Sequence, residues 1–126
     1  RGLEMCIETG AALSNRIEYL STTASNHKMI NVIDYLNAHL TDDITIDFLA
    51  EHFYLSRYHL MHAFKEETGY TIGNYLTTKR LLLARDQIAQ GESITTACYA
   101  CGFHNYSTFS RAYRKHFGCS PREQRN

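Results

Sequence analysis

ITIDFLAEHFYLSRYHLMHAFKEETGYT at residues 44–71 and SITTACYACGFHNYSTFSRAYRKHFGCS at residues 93–120 are two versions of one pattern. Each opens with a hydroxyl residue, Thr45 or Ser93, able to cap a helix by accepting a backbone N–H of its first turn. A short apolar helix follows, then a tight turn. Ser56 or Asn105 caps a second, amphipathic helix that stops at Gly69 or Gly118. The second turn is one residue longer and contains Gly102, since glycine enters left-handed conformations cheaply. Helix, turn and capped helix in that order are the signature of a helix-turn-helix, here present twice.

Between the copies, residues 72–90 read as one longer helix ended by Gly91, with Ile72, Tyr75, Leu76, Leu82, Leu83 and Ile88 available for packing. Before the first copy, Ile30, Ile33, Leu36 and Leu40 recur at helical spacing. After the second, Ser120 and Pro121 suit the cap and first position of a last short helix. The first short helix is expected to bury Ile46, Leu49, Ala50 and Phe53. The fold expected is all-α: two helix-turn-helix subdomains joined by a central linker helix, about seven helices in all. The boundaries expected are residues 28–71 and 92–126 for the subdomains and 72–91 for the linker helix. Residues 1–27, with the linker-like run STTASN at 21–26, are expected to be a linker or the tail of an upstream domain.

The chain has 126 residues, 44% of them hydrophobic, enough for a folded core. It has no apolar run long enough to cross a membrane as a helix. Formal net charge is zero, but the charges are segregated. Residues 34–51 carry Asp34, Asp42, Asp43, Asp47 and Glu51 without a Lys or Arg. Residues 104–126 carry Arg111, Arg114, Lys115, Arg122 and Arg125 against Glu123 alone. A local basic face can hold phosphates without a high overall pI.

The outward stripes of the two amphipathic helices carry the functional reading. With Leu60, Ala63 and Phe64 turned inward, Tyr58, Met61, His62 and Lys65 form the opposite face. An aromatic ring or Met can touch a thymine methyl, and His can bond a purine edge. In the second copy Phe109, Ala112, Tyr113 and Phe117 face inward. Ser107, Ser110, Arg111 and Arg114 face outward, with Tyr106 at the helix start. The planar fork of Arg111 matches guanine O6 and N7. The candidate base contacts are therefore Tyr58, Met61, His62, Tyr106, Ser107 and Arg111. The candidate phosphate contacts are Arg57, Lys65, Ser110, Arg114 and Lys115, which would position the domain without reading sequence. A solvated polar face on each helix is the plainer alternative. A linker helix of about 28 Å is close to the roughly 34 Å between successive major-groove entries on one face of a duplex, and bending of the duplex would help both helices fit.

GFHNYSTFSRAYRKHFGCSPREQR at 102–125 resembles the second-half signature of the DNA-binding domain of the AraC/XylS family of bacterial transcription regulators. The elements matched are Gly-Phe, Phe-Ser-Arg, an aromatic and a basic residue, then Gly-x-Ser-Pro and Arg. LAEHFYLSRYHLMHAFKEETG at 49–69 is similar to the family's first helix-turn-helix, and the resemblance runs from about Lys28 to Arg125. It implies double-stranded promoter DNA as partner, activation or repression of transcription, RNA polymerase as a second partner, and a cytoplasmic location. It leaves open a homodimer through an upstream domain. The family often carries long polar residues at the positions of Met61 and His62, and this chain differs there.

Other chemistries are weaker. Cys98 and Cys101 form a CxxC, which can hold zinc or form a redox disulfide. The repeat equates them with Ala50 and Phe53, both core positions, which favours packed thiols. No HExxH frame, Ser-His-Asp set or glycine-rich phosphate loop is present, so neither catalysis, a metal nor a cofactor is expected. Two alternatives stay open: a helical protein-interaction module without base readout, and a thiol or metal sensor at Cys98 and Cys101.

Overall fold

The computed structural model describes residues 24–125, and these are all-α. Seven helices follow in order: α1 (Ala24–Ala38), α2 (Ile46–His52), α3 (Arg57–Thr68), α4 (Ile72–Ala89), α5 (Ile94–Ala100), α6 (Tyr106–Phe117) and α7 (Pro121–Arg125). The boundaries of the two helix-turn-helix pairs have local chemical causes. Thr45, Ser56, Ser93 and Asn105 all hold extended backbone and accept the amide of the residue three positions on through their side chains. Gly69 and Gly118 end α3 and α6 in the left-handed region, at φ 85° and 83°. Each such N-cap contributes about 1 kcal/mol by satisfying an orphan amide.

The chain divides into two compact units. Of the described residues, the first takes those up to His39 together with Asp43–Leu76, and the second takes Leu40–Asp42 and those from Thr77 onward. In the first unit α1 and α2 both pack on α3. Met29, Val32, Ile33 and Leu36 of α1, Leu49 and Ala50 of α2, and Leu60 and Phe64 of α3 are buried, with Ile72, Tyr75 and Leu76 from the start of α4. Tyr75 meets Phe64 edge-on at 5.7 Å and donates its hydroxyl hydrogen to Asn37 Oδ1 at 2.9 Å. That bond satisfies a phenol that burial would otherwise leave costly.

The core of the second unit is Leu81, Ala84 and Ile88 of α4, Ala97 and Cys98 of α5, Cys101, and Phe109 and Tyr113 of α6. Arg80 serves this unit as a clasp. Its Nε donates to the Leu40 carbonyl and its Nη2 to the Asp42 carbonyl, both at 2.7 Å. These charge-assisted bonds hold residues 40–42.

Several details differ from the sequence expectation. Ala24–Asn26, inside the run read as a linker, already belong to α1. Residues 1–23 of that expected linker lie outside the described residues. The buried stripe of α1 is Met29, Val32, Ile33 and Leu36, while Ile30 and Leu40 are half-buried. Both sets obey helical spacing, and tertiary packing selects between them. Ile46 and Phe53 are half-buried rather than buried. In α4 Leu83 is half-buried, whereas Leu81 and Ala84 are buried.

Candidate nucleic-acid interface

Helix α3 lays Leu60 and Phe64 into the first core, and this turns Tyr58, Met61, His62 and Lys65 to solvent. Tyr58 is 74% and Met61 48% exposed, unusual for side chains that bury cheaply. The four border a shallow depression of about 300 Å³. The Tyr58 ring lies nearly parallel to the His62 ring, 5.4 Å between centroids. His62 Nε2 is 3.4 Å from Glu66 Oε2, an ion pair when the imidazole is protonated. Lys65 Nζ reaches the Gly69 carbonyl at 3.4 Å. Arg57, the first residue of α3, is bound to Asp47 at 3.0 Å with both side chains well exposed. Such a pair contributes little to stability and can open toward another anion at small cost.

Helix α6 presents a different surface on the same scaffold. Counting from the caps Ser56 and Asn105, Ser107 stands where Tyr58 does, Ser110 where Met61 does, and Arg111 where His62 does. Ser107, Arg111, Arg114 and Lys115 are exposed, and Ser110 is half-buried. Arg111 forms no ion pair among the described residues. Arg114 is 3.4 Å from Glu123. Tyr106 equates with Arg57 rather than with Tyr58. It is half-buried, with its ring 6.0 Å from that of Phe109, so much of its surface is committed to the core.

Ser120 caps the last helix as expected, but its return bond from Glu123 and the conformation of Tyr54 were not anticipated. Ser120 Oγ accepts the Glu123 amide at 3.1 Å while Glu123 accepts the Ser120 amide at 2.8 Å. This reciprocal capping box is legible as Ser-x-x-Glu. The Ser120 amide, and after it the Arg114 guanidinium, hold the Glu123 carboxyl below its ordinary range. The second feature is Tyr54, at φ +58° in the turn of the first unit and 89% exposed. No local pattern in the sequence announces it.

Cys98 and Cys101 are free thiols with no exposed surface. Burial raises both thiols, Cys101 to about 11 with a smaller contribution from Cys98. A thiol held in its protonated form is a poor nucleophile and metal ligand, which favours a packing role over sensing. Among the described residues no group of His, Cys, Asp or Glu is arranged to hold a metal, and no helix is long and apolar enough to cross a membrane.

Two capped helix-turn-helix units, each with its second helix turned outward, define the class of protein. A family model described as "Helix-turn-helix domain" matches residues 49–126. The HTH-type transcriptional activator RhaS of Escherichia coli O139:H28 (strain E24377A / ETEC) is 36% identical over 109 residues, which are 86% of this chain and 38% of the relative. The chain thus spans about two fifths of the length of the curated relatives it matches. The crystal structure of a transcriptional regulator (AraC-type DNA-binding domain-containing proteins) from Chromobacterium violaceum is 32% identical with a TM-score of 0.71, over 80% of this chain and 91% of that one. The DNA-binding domain of AdpA, solved in complex with a target DNA, is 26% identical with a TM-score of 0.72, over 77% and 88% of the two chains.

The chain belongs to the AraC/XylS family of transcription regulators, as its DNA-binding domain.

Proposed function

We propose that this chain reads a specific promoter sequence by placing α3 and α6 in successive segments of the major groove. The single observation that carries the reading is the repeated exposure, on both capped helices, of a stripe no core requires: Tyr58, Met61, His62 and Lys65 on one, Ser107, Arg111 and Arg114 on the other. In this reading Arg111 bonds a guanine edge. Met61 and Tyr58 meet thymine methyls, His62 bonds a purine, and Ser107 and the exposed part of Tyr106 reach close base edges. Arg57, Lys65, Ser110, Arg114 and Lys115 hold phosphates, with Arg57 and Arg114 exchanging Asp47 and Glu123 for the duplex.

RNA polymerase is the partner through which such a bound regulator would act. Homodimerisation would add a second reading pair on a symmetric site. Selection of bound duplexes from a random pool tests the proposal. The expected result is a recovered site that spans two groove segments, with affinity falling on added salt by several units in a log–log plot. Recovery of no preferred sequence would overturn the reading in favour of a protein-interaction module.

A further inference from the structure

Tyr54 is the only non-glycine among the described residues with a positive φ, 58°. Counted from the caps Thr45 and Ser93, its counterpart in the second unit is Gly102, at φ 103°. The two turns close alike. Tyr54 and Gly102 donate their amides to the carbonyls of Glu51 and Tyr99, and the next residues, Leu55 and Phe103, donate to Ala50 and Cys98. The fold therefore demands a left-handed residue at this point and accepts glycine there. In the first unit it carries a tyrosine instead, against the steric preference of an L-residue with a bulky side chain. Packing does not explain the choice, since the side chain is 89% exposed. A bulky side chain that neither the turn nor the core asks for, kept at a left-handed position, is a reason to look for a contact outside the chain.

The position of the turn says what that contact is. Tyr54 lies two residues before Ser56, the cap of α3, so its backbone stays within about 7 Å of the start of the reading helix. Two cations belong to this stretch of the unit. Lys28 Nζ sits 3.2 Å from the carbonyl of Phe53, the preceding residue, and Arg57 opens α3 three residues later. Of the two, Arg57 is engaged by Asp47 at 3.0 Å. An exposed phenol in the turn that leads into a groove-reading helix, with one cation on the preceding carbonyl and another at the helix start, suits a phosphate oxygen.

We propose that Tyr54 donates its phenolic hydrogen to a duplex phosphate at the edge of the groove entered by α3. This inference rests on the DNA-reading function proposed above. The residue fixes the register of the helix on the backbone and does not read a base.

The test compares the parent chain with Tyr54→Phe and Tyr54→Gly, on the duplex recovered by selection and on an unrelated duplex. Tyr54→Phe keeps the ring and loses the donor. Tyr54→Gly relieves the backbone and is expected to keep or raise the thermal midpoint. Both variants should bind each duplex about tenfold more weakly, the usual worth of a hydrogen bond to a charged group. Affinities within twofold of the parent would overturn the inference, as would a loss confined to the selected duplex, which would mark a base contact. A parent chain that prefers no duplex at all would instead remove the DNA-reading function on which the inference stands.

Discussion

The two helix-turn-helix units share caps, turn closure and helix lengths, and they differ in what they show to solvent. The first faces outward with an aromatic ring, a thioether and an imidazole, and its turn carries an exposed tyrosine. The second faces outward with serine and arginine, and its turn carries Gly102. A Cβ at Gly102 would stand 3.0 Å from Arg80 Nε and 3.2 Å from the Thr41 carbonyl oxygen. The scaffold is therefore kept by inward residues and caps, and the outward chemistry is free to diverge. The turn shows the same division. It is open to solvent in one copy, so a side chain is tolerated, and closed against its own unit in the other, so none is.

The largest effect is expected where that contrast is sharpest. Gly102→Ala would carry both the left-handed penalty and the contact with Arg80 and Thr41, and should cost about 3 kcal/mol in urea unfolding. Tyr54→Gly, at the matching position, should cost nothing. Equal losses at the two sites would show that the turns are not distinguished by packing.

A smaller effect separates the two outward faces. Arg111→Ala should lower discrimination at one base pair by about 1–3 kcal/mol, whereas Arg114→Ala should weaken all duplexes alike and flatten the salt dependence. Binding to single-substitution duplexes checks both. An Arg111→Ala chain with unchanged sequence preference would remove Arg111 from the reading face.

Smaller again is the worth of the matched caps. Ser56→Ala and Asn105→Ala should each cost about 1 kcal/mol. A large disparity in denaturation midpoint would mean that one cap does more than satisfy an amide.

The smallest effect concerns the capping box that, among the described residues, the second unit alone possesses. The Glu123 carboxyl is depressed in the folded chain, so its contribution is present above the ordinary carboxylate range and fades as pH falls through the folded value. The Ser120 amide resonance should follow that titration with a midpoint below that of a free glutamate, and Glu123→Gln should abolish it. A midpoint in the ordinary range would mean that Ser120 and Arg114 do not hold the carboxylate in solution.

Most of the helices were legible because their ends are written locally. A Thr, Ser or Asn that accepts an amide three residues on, and a glycine that turns the chain left-handed, act within one turn of helix. The facing of α3 and α6 was legible for a similar reason: the inward positions repeat between the copies. Less legible was the stripe of α1, where two overlapping sets of apolar residues obey the same period. Tyr106 also read as outward from its place at the start of α6, but its ring lies against Phe109.

What the chain settled by itself is thus the set of helices, their caps, and which side of each reading helix stays polar, because those follow from bonds and periodicities spanning a few residues. The folded structure alone decided that Arg80 clasps the carbonyls of Leu40 and Asp42, that Leu81 and Ala84 enter the core, and that Arg57 and Arg114 rest on Asp47 and Glu123. It also decided that Gly102 admits no side chain while Tyr54 stands exposed. These are matters of which surfaces meet after folding, and contacts such as that of Arg80 with Leu40 join residues too far apart in sequence for any local pattern to record them.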